Sequence, residues 1–206
     1  MLTTPLDIIF YIIILVMSIV IHEVSHGYAA YIQGDATAER AGRLTLNPLK
    51  HLDFVGSLIV PLVTYFLAGI PFGWAKPVPF NPYNLRNQRW GETIVAVAGP
   101  AANFLIAIVF AILVRIAIPL GLPDSFVSVC ALVVLANIGL GIFNLVPIPP
   151  LDGSKILFGL LPFYISRSFR AVYERYSLII LLAFIFFLPQ ILSPAITFIF
   201  NRLVGQ

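Results

Sequence analysis

The stretch IIFYIIILVMSIVIHEVSHGYAAY, residues 8–31, decides how the chain is read. It begins as an uninterrupted apolar run, and about 20 such residues suffice to cross a bilayer core. Near its end it carries His22, Glu23 and His26 within five residues. Ionisable groups at membrane depth are costly and mark function by default. Helix positions i and i+4 share a face, so the imidazoles of His22 and His26 can converge on one metal ion while Glu23 stands beside a bound water. With three histidines in 206 residues, an accidental HExxH is expected in roughly one such chain in a thousand. The competing reading pairs both histidines across a helix interface with Glu23 protonated or ion-paired, and must fit all three groups into little more than one turn.

Working outward, composition sets the solvent: 60% of the chain is hydrophobic and 10% charged, against about 25% charged in a soluble domain. The expected fold is an all-α polytopic membrane protein, one integral membrane domain over residues 1–206. Its core covers about 8–160, with a C-terminal helical segment at about 175–203. Apolar runs fall at about 8–31, 54–72, 92–120, 126–148 and 177–201. The second contains Pro61 and ends in Pro71 and Gly73, which makes it a poor full span. If it dips in and returns, Arg40, Arg43, Lys50, Lys76, Arg86, Arg89, Lys155, Arg167, Arg170 and Arg175 share one face. Ten of the twelve basic residues then lie on the side where short loops are normally rich in Lys and Arg. A re-entrant segment is therefore expected.

The segment WAKPVPFNPYNLRNQRWGE, residues 74–92, carries Pro77, Pro79 and Pro82 and should be an extended, membrane-associated loop. Pro189 and Pro194 either kink the last helix or divide it. The basic residues are scattered over loops, which argues against nucleic acid as a partner. Cys130 has no partner for an intrachain disulfide, cannot build a cysteine-based zinc cluster, and is assigned to packing. No basic residue precedes the first apolar run and no small-residue cleavage site follows it, so the N-terminus is expected to be retained.

Two histidines do not complete a catalytic zinc site, which typically has three protein ligands and an open position. His51 follows Pro48 and Lys50 in a polar loop and is read as a surface or interfacial residue. Asp152 is the stronger candidate. It follows Pro147, Pro149 and Pro150, which break helical geometry, and irregular backbone at membrane depth must be buried in protein or line a cavity. An aspartate presented from such a break can reach a metal, or it can N-cap the following GSKILFGLL segment. Asn144 can donate to a developing oxyanion, hold a substrate strand, or serve as interhelical glue. Asn103 and Asn137 are assigned to packing, and Ser25 to a structural role.

At these residues the chain resembles the site-2 protease family of intramembrane zinc metalloproteases, peptidase family M50. His22-Glu23-Val24-Ser25-His26 matches its HExxH, and Asn144 through Gly153 matches its NxxPxPxxDG. Gly99-Pro100-Ala101-Ala102-Asn103, taken to open the central helix, resembles its GPxxN. The resemblance implies a three-helix catalytic core holding one zinc ion per chain through His22, His26 and Asp152. It places that site near the cytoplasmic side of a prokaryotic cell membrane, acting on membrane-protein substrates with a transmembrane segment. A PDZ-like insertion and a nucleotide-binding regulatory module are absent from the sequence, as in the short branch of the family.

The chemistry expected of such a site is peptide hydrolysis, with Glu23 as the base. Two rivals stay open: a zinc-binding membrane protein without hydrolytic activity, and a zinc-dependent lipid hydrolase. A pure carrier has no need of a base beside a ligand, and HExxH alone does not define the scissile bond.

Overall fold

Backbone N–H and C=O groups facing lipid can be satisfied only inside a helix or a closed barrel, so long apolar runs without strand alternation become helices. The computed structural model describes residues 5–68, 73, 75–162, 170 and 173–205, and no strand occurs among them. The α-helices are α1 (Pro5–Ile32), α2 (Thr37–Arg40), α3 (Val60–Ala68), α4 (Gly91–Ala117), α5 (Asp124–Leu145), α6 (Asp152–Leu160) and α7 (Ser177–Val204). Of these, α1, α4 and α5 are long and apolar enough to cross a membrane, and α7 is a fourth if its two bent parts form one span.

Helix α4 is the centre of the bundle, packed on α1, α5, α6 and α7. Lipid tails are as apolar as leucine, so nothing hydrophobic drives two spans together, and close approach depends on small side chains. Accordingly α4 buries Ala96, Gly99, Asn103, Ala107, Ala111 and Val114, one residue every three or four. Its opposite face leaves Leu105, Ile108, Ile112 and Ile116 exposed, the surface expected to meet lipid. Ala107, Ala111 and Val114 form one cluster with Cys130, Val134 and Ile138 of α5 and Val204 of α7. Cys130 is thus buried, in keeping with a packing role. The GPxxN residues lie in the third and fourth turns of α4, which starts at Gly91, rather than at its opening.

The described part of the 54–72 run, residues 54–68, is a short helical segment, as expected of one that does not cross. A five-residue π-helical turn, Val55–Ile59, leads into the nine-residue α3, together about 21 Å of helix against a hydrocarbon core of about 30 Å. The two ends of the segment also return to one level. The Lys76 N–H donates to the His51 carbonyl at 2.9 Å, and Gly73 is pressed so closely on Gly56 and Pro61 that a Cβ would fall 2.5 Å from each. Residues 69–72, the far end of the run, lie outside the described residues. The C-terminal run is one helix bent by 59°, and the bend, over residues 186–189, contains Pro189, which lacks the N–H needed to continue the ladder.

Helix α1 stops at Gly34, whose φ of +103° favours glycine. Gly34 N–H bonds to Tyr31 O and Asp35 N–H to Ala30 O, a Schellman ending. The stop delivers Asp35 into a fully buried position. There its carboxylate accepts from Thr37 N–H and Oγ1–H, from the Asn81 N–H at 2.6 Å and from Asn84 Nδ2 at 2.9 Å. Asp35 therefore fastens the proline-rich loop to the end of α1.

Burial alone would raise the Asp35 pKa, but hydrogen bonds from Thr37, Asn84 and Asn81 outweigh it and hold the group below the usual carboxylate value. A folded pKa below the unfolded one means that this stabilisation is complete above the unfolded value, about 3.9, and is lost as pH falls through the folded value. Asp35→Ala should cost about 1–3 kcal/mol by removing the acceptor of the half-buried Thr37 and Asn81 donors. Thermal unfolding in detergent at pH 7 measures that loss. Asp35→Asn should flatten the stability profile below about pH 4.

Candidate metal centre

The inward face of α1 repeats every four residues as Ser18, His22, His26 and Ala30, all buried. His22 Nε2 and His26 Nε2 lie 3.0 Å apart. Asp152 Oδ2 stands 3.1 Å from the first and 3.0 Å from the second. Asp152 is the first residue of α6; the N-cap is Leu151, and no side chain caps that end. The capping role considered for Asp152 is therefore not the one it plays. Its carboxylate turns into the bundle, and the tight packing of Gly153 on the Leu145 and Val146 carbonyls, where any Cβ would overlap, brings α6 close enough to do so.

The outer nitrogens fix which atom of each ring faces the centre. His26 Nδ1 lies 2.7 Å from Val95 O, which can only accept, so Nδ1 carries the proton and Nε2 the lone pair. His22 Nδ1 lies 2.6 Å from Asn103 Oδ1. The Asn103 amide is oriented in turn: its Nδ2 donates to Asn137 Oδ1 at 2.9 Å and to Ser18 O at 3.4 Å. Asn137 Nδ2 donates to Val133 O and to Ser18 Oγ. The relay ends on backbone carbonyls, so Asn103 must present oxygen to His22, and His22 Nε2 also carries a lone pair. Asn103 and Asn137, assigned to packing from the sequence, thus orient a histidine as well. Their signal was the depth of two amides in apolar helices. Ser18 gave no signal.

Two imidazole lone pairs and a carboxylate oxygen facing one another in a buried site repel unless a cation lies between them. For tetrahedral zinc with ligand bonds of about 2.0–2.1 Å, donor atoms sit roughly 3.3 Å apart, so the triangle fits after opening by a few tenths of an ångström. Among the described residues this is the one group of three or more His, Cys, Asp or Glu side chains placed to hold a metal. Gly99 makes room for it: a Cβ there would fall 2.5 Å from His26 Nε2 and 2.6 Å from His22 Cε1. Lys155, read from the sequence only as a topology signal, holds its Nζ 3.7 Å from the other Asp152 oxygen and 5.6 Å from the Phe80 ring centre.

Glu23 is half-buried beside the triangle, and its Oε2 accepts the Val78 N–H at 2.8 Å. The proline-rich loop, which forms neither helix nor strand over residues 75–81, therefore touches it through Val78. Asn144 is not joined to the cluster: one amide N–H is spent on Leu140 O of its own helix. Ser25 donates to Ile21 O, consistent with a structural role. His51 is not a surface residue. It is buried, with Nε2 2.8 Å from Thr45 O, and the 48–50 turn before it packs on α1.

The pattern of Peptidase family M50 matches residues 119–188. The protein named "Putative zinc metalloprotease YwhC" of Bacillus subtilis (strain 168) is 40% identical over 169 residues, 77% of this chain and 72% of that one. The chain belongs to the M50 family. A second relative, "Putative zinc metalloprotease Rip2" of Mycolicibacterium smegmatis, is 34% identical over 145 residues, 66% of this chain and 51% of its own. The M50 chain thus spans about three quarters of the first relative and half of the second. No solved structure matches it significantly.

Replacing Asn103 by Leu should weaken zinc binding about 10- to 100-fold, the usual effect of losing a partner behind a ligating histidine. Asn103→Asp, which keeps an acceptor for His22 Nδ1, should recover part of the loss. Competition against a chromophoric chelator reads both.

Proposed function

We propose that this M50 chain is an intramembrane zinc metalloprotease that hydrolyses peptide bonds in or near transmembrane segments of membrane proteins. The observation that carries the reading is the buried His22, His26 and Asp152 triangle with Glu23 beside it and the loop amide of Val78 on Glu23. In this reading the three residues hold one zinc ion. Zinc bound there would acidify a water and polarise the scissile carbonyl. Asn103 and Val95 keep the two imidazoles in the tautomer that binds a metal. Glu23 accepts the proton of the attacking water and delivers it to the leaving amine.

A peptide bond within a helix is shielded, so substrate must be extended before attack. The 75–81 segment supports that step because it is proline-rich, outside any helix, and anchored at both ends, by Lys76 N–H on His51 O and by Asn81 N–H on Asp35. Substrate laid alongside would donate its main-chain N–H groups to carbonyls of the segment, whose own N–H groups at 76 and 78 are already bonded, and such bonds tolerate varied side chains. The positive-inside pattern of the loops supports placing the site toward the cytoplasmic side.

Zinc measured per chain in detergent-purified protein should be about one for wild type, lost in Asp152→Ala and kept in Glu23→Gln. The latter should lower peptide turnover by about 10²- to 10⁴-fold. Zinc-free, folded wild type would sink the protease reading, and turnover of lipid but not peptide would replace it with a lipid hydrolase. Photo-crosslinkers at positions 76 and 80 should capture a transmembrane substrate in the Glu23→Gln background. Failure to capture it there would remove the loop from substrate binding.

A further inference from the structure

Where the 43–52 region meets the proline-rich loop, Arg43, Lys50 and Lys76 line one open cavity of about 440 Å³ with Leu49 and Leu52. No carboxylate lines it, and none of the three cations has a carboxylate oxygen within 4.0 Å among the described residues. Arg43 is buried. Its Nη2 donates to Lys76 O at 2.6 Å, while its Nε has no hydrogen-bond partner. A buried guanidinium with an unused donor, beside two lysines and no counter-ion, leaves an uncompensated positive charge that an anion would balance.

The surroundings decide which anion. Leu49 and Leu52 are 74% and 48% exposed, and the adjoining Leu46 and Phe54 are 55% and 71% exposed. These residues immediately precede the short apolar helical segment that begins at Val55. Inorganic phosphate gains nothing from exposed leucines. A molecule with a negative head and an apolar tail uses both halves of the site.

We infer that this cavity binds the headgroup of an anionic phospholipid, with its acyl chains against Leu46, Leu49 and Phe54. The inference does not rest on the metal or on proteolysis. Pro77 and Pro79, which flank Val78, also line the cavity, so a bound headgroup abuts the loop that crosses Glu23.

The test is retention of phosphatidylglycerol against phosphatidylcholine by the whole chain in detergent, read by native mass spectrometry. Wild type should hold phosphatidylglycerol preferentially. Each basic side chain near an anionic headgroup adds about fivefold, so Lys50→Gln with Lys76→Gln should weaken retention roughly 25-fold. Arg43 stays in place because it fastens the loop, and unchanged zinc content checks that the double variant is folded. The control, Arg89→Gln with Arg202→Gln, removes the same charge elsewhere and should retain the lipid. Equal loss in both variants, or equal retention of the two lipids by wild type, would overturn the inference in favour of diffuse charge attraction. Displacement by millimolar inorganic phosphate would make this a free-anion site. Displacement by an acidic peptide would make it a peptide site.

Discussion

Two imidazole lone pairs and a carboxylate oxygen stand within 3.1 Å of one another inside an apolar bundle, and the rest of the structure accommodates that constraint. Without a cation between them the arrangement is repulsive, so the helices must hold it from outside. Helix α4 does so by carrying glycine where the rings need space, Asn103 where His22 needs an acceptor, and the Val95 carbonyl where His26 needs one. Helix α6 does so by starting at Asp152, directly after an irregular, proline-rich connection.

Magnitudes make the same point for the amide relay. Hydrogen bonds between membrane helices average about 0.6 kcal/mol, so the bonds among Ser18, Asn103 and Asn137 add only about 2 kcal/mol together. That is a minor part of a domain's stability. The larger effect is on the ring nitrogen that faces the centre, since a reversed His22 tautomer would aim a proton, not a lone pair, at the metal position.

Much of this could be read from residues alone. HExxH and NxxPxPxxDG identify the residues of the triangle because charged groups in an apolar helix, and proline breaks at membrane depth, are too costly to persist unless they build a site or line a cavity. That the run from residue 54 makes a poor full span was legible from Pro61, and its described helix is indeed short. The sequence reading failed where meaning depends on which element a side chain meets. His51 looks exposed in a polar loop, yet the neighbouring chain covers it. Asp35 follows an ordinary helix stop, and its acceptor role depends on Asn81 and Asn84, some fifty positions later. Lys155 reads as a surface charge until α6 turns it beside Asp152.

The pairing of prolines around Val78 has a consequence for how copies of this chain behave toward one another. An extended segment exposes a row of backbone donors and acceptors, and such a row recruits like segments from other molecules. Pro77 and Pro79 have no N–H, and the N–H of Val78 is already bonded to Glu23. The Lys76 N–H is bonded to His51 O, and the Lys76 carbonyl to Arg43. From 76 to 79 the segment is left without a free donor. Two copies meeting along this edge lack the reciprocal N–H and C=O pairs that a ladder between chains requires. The segment can remain open beside an active centre without inviting the stacking that an open edge usually brings.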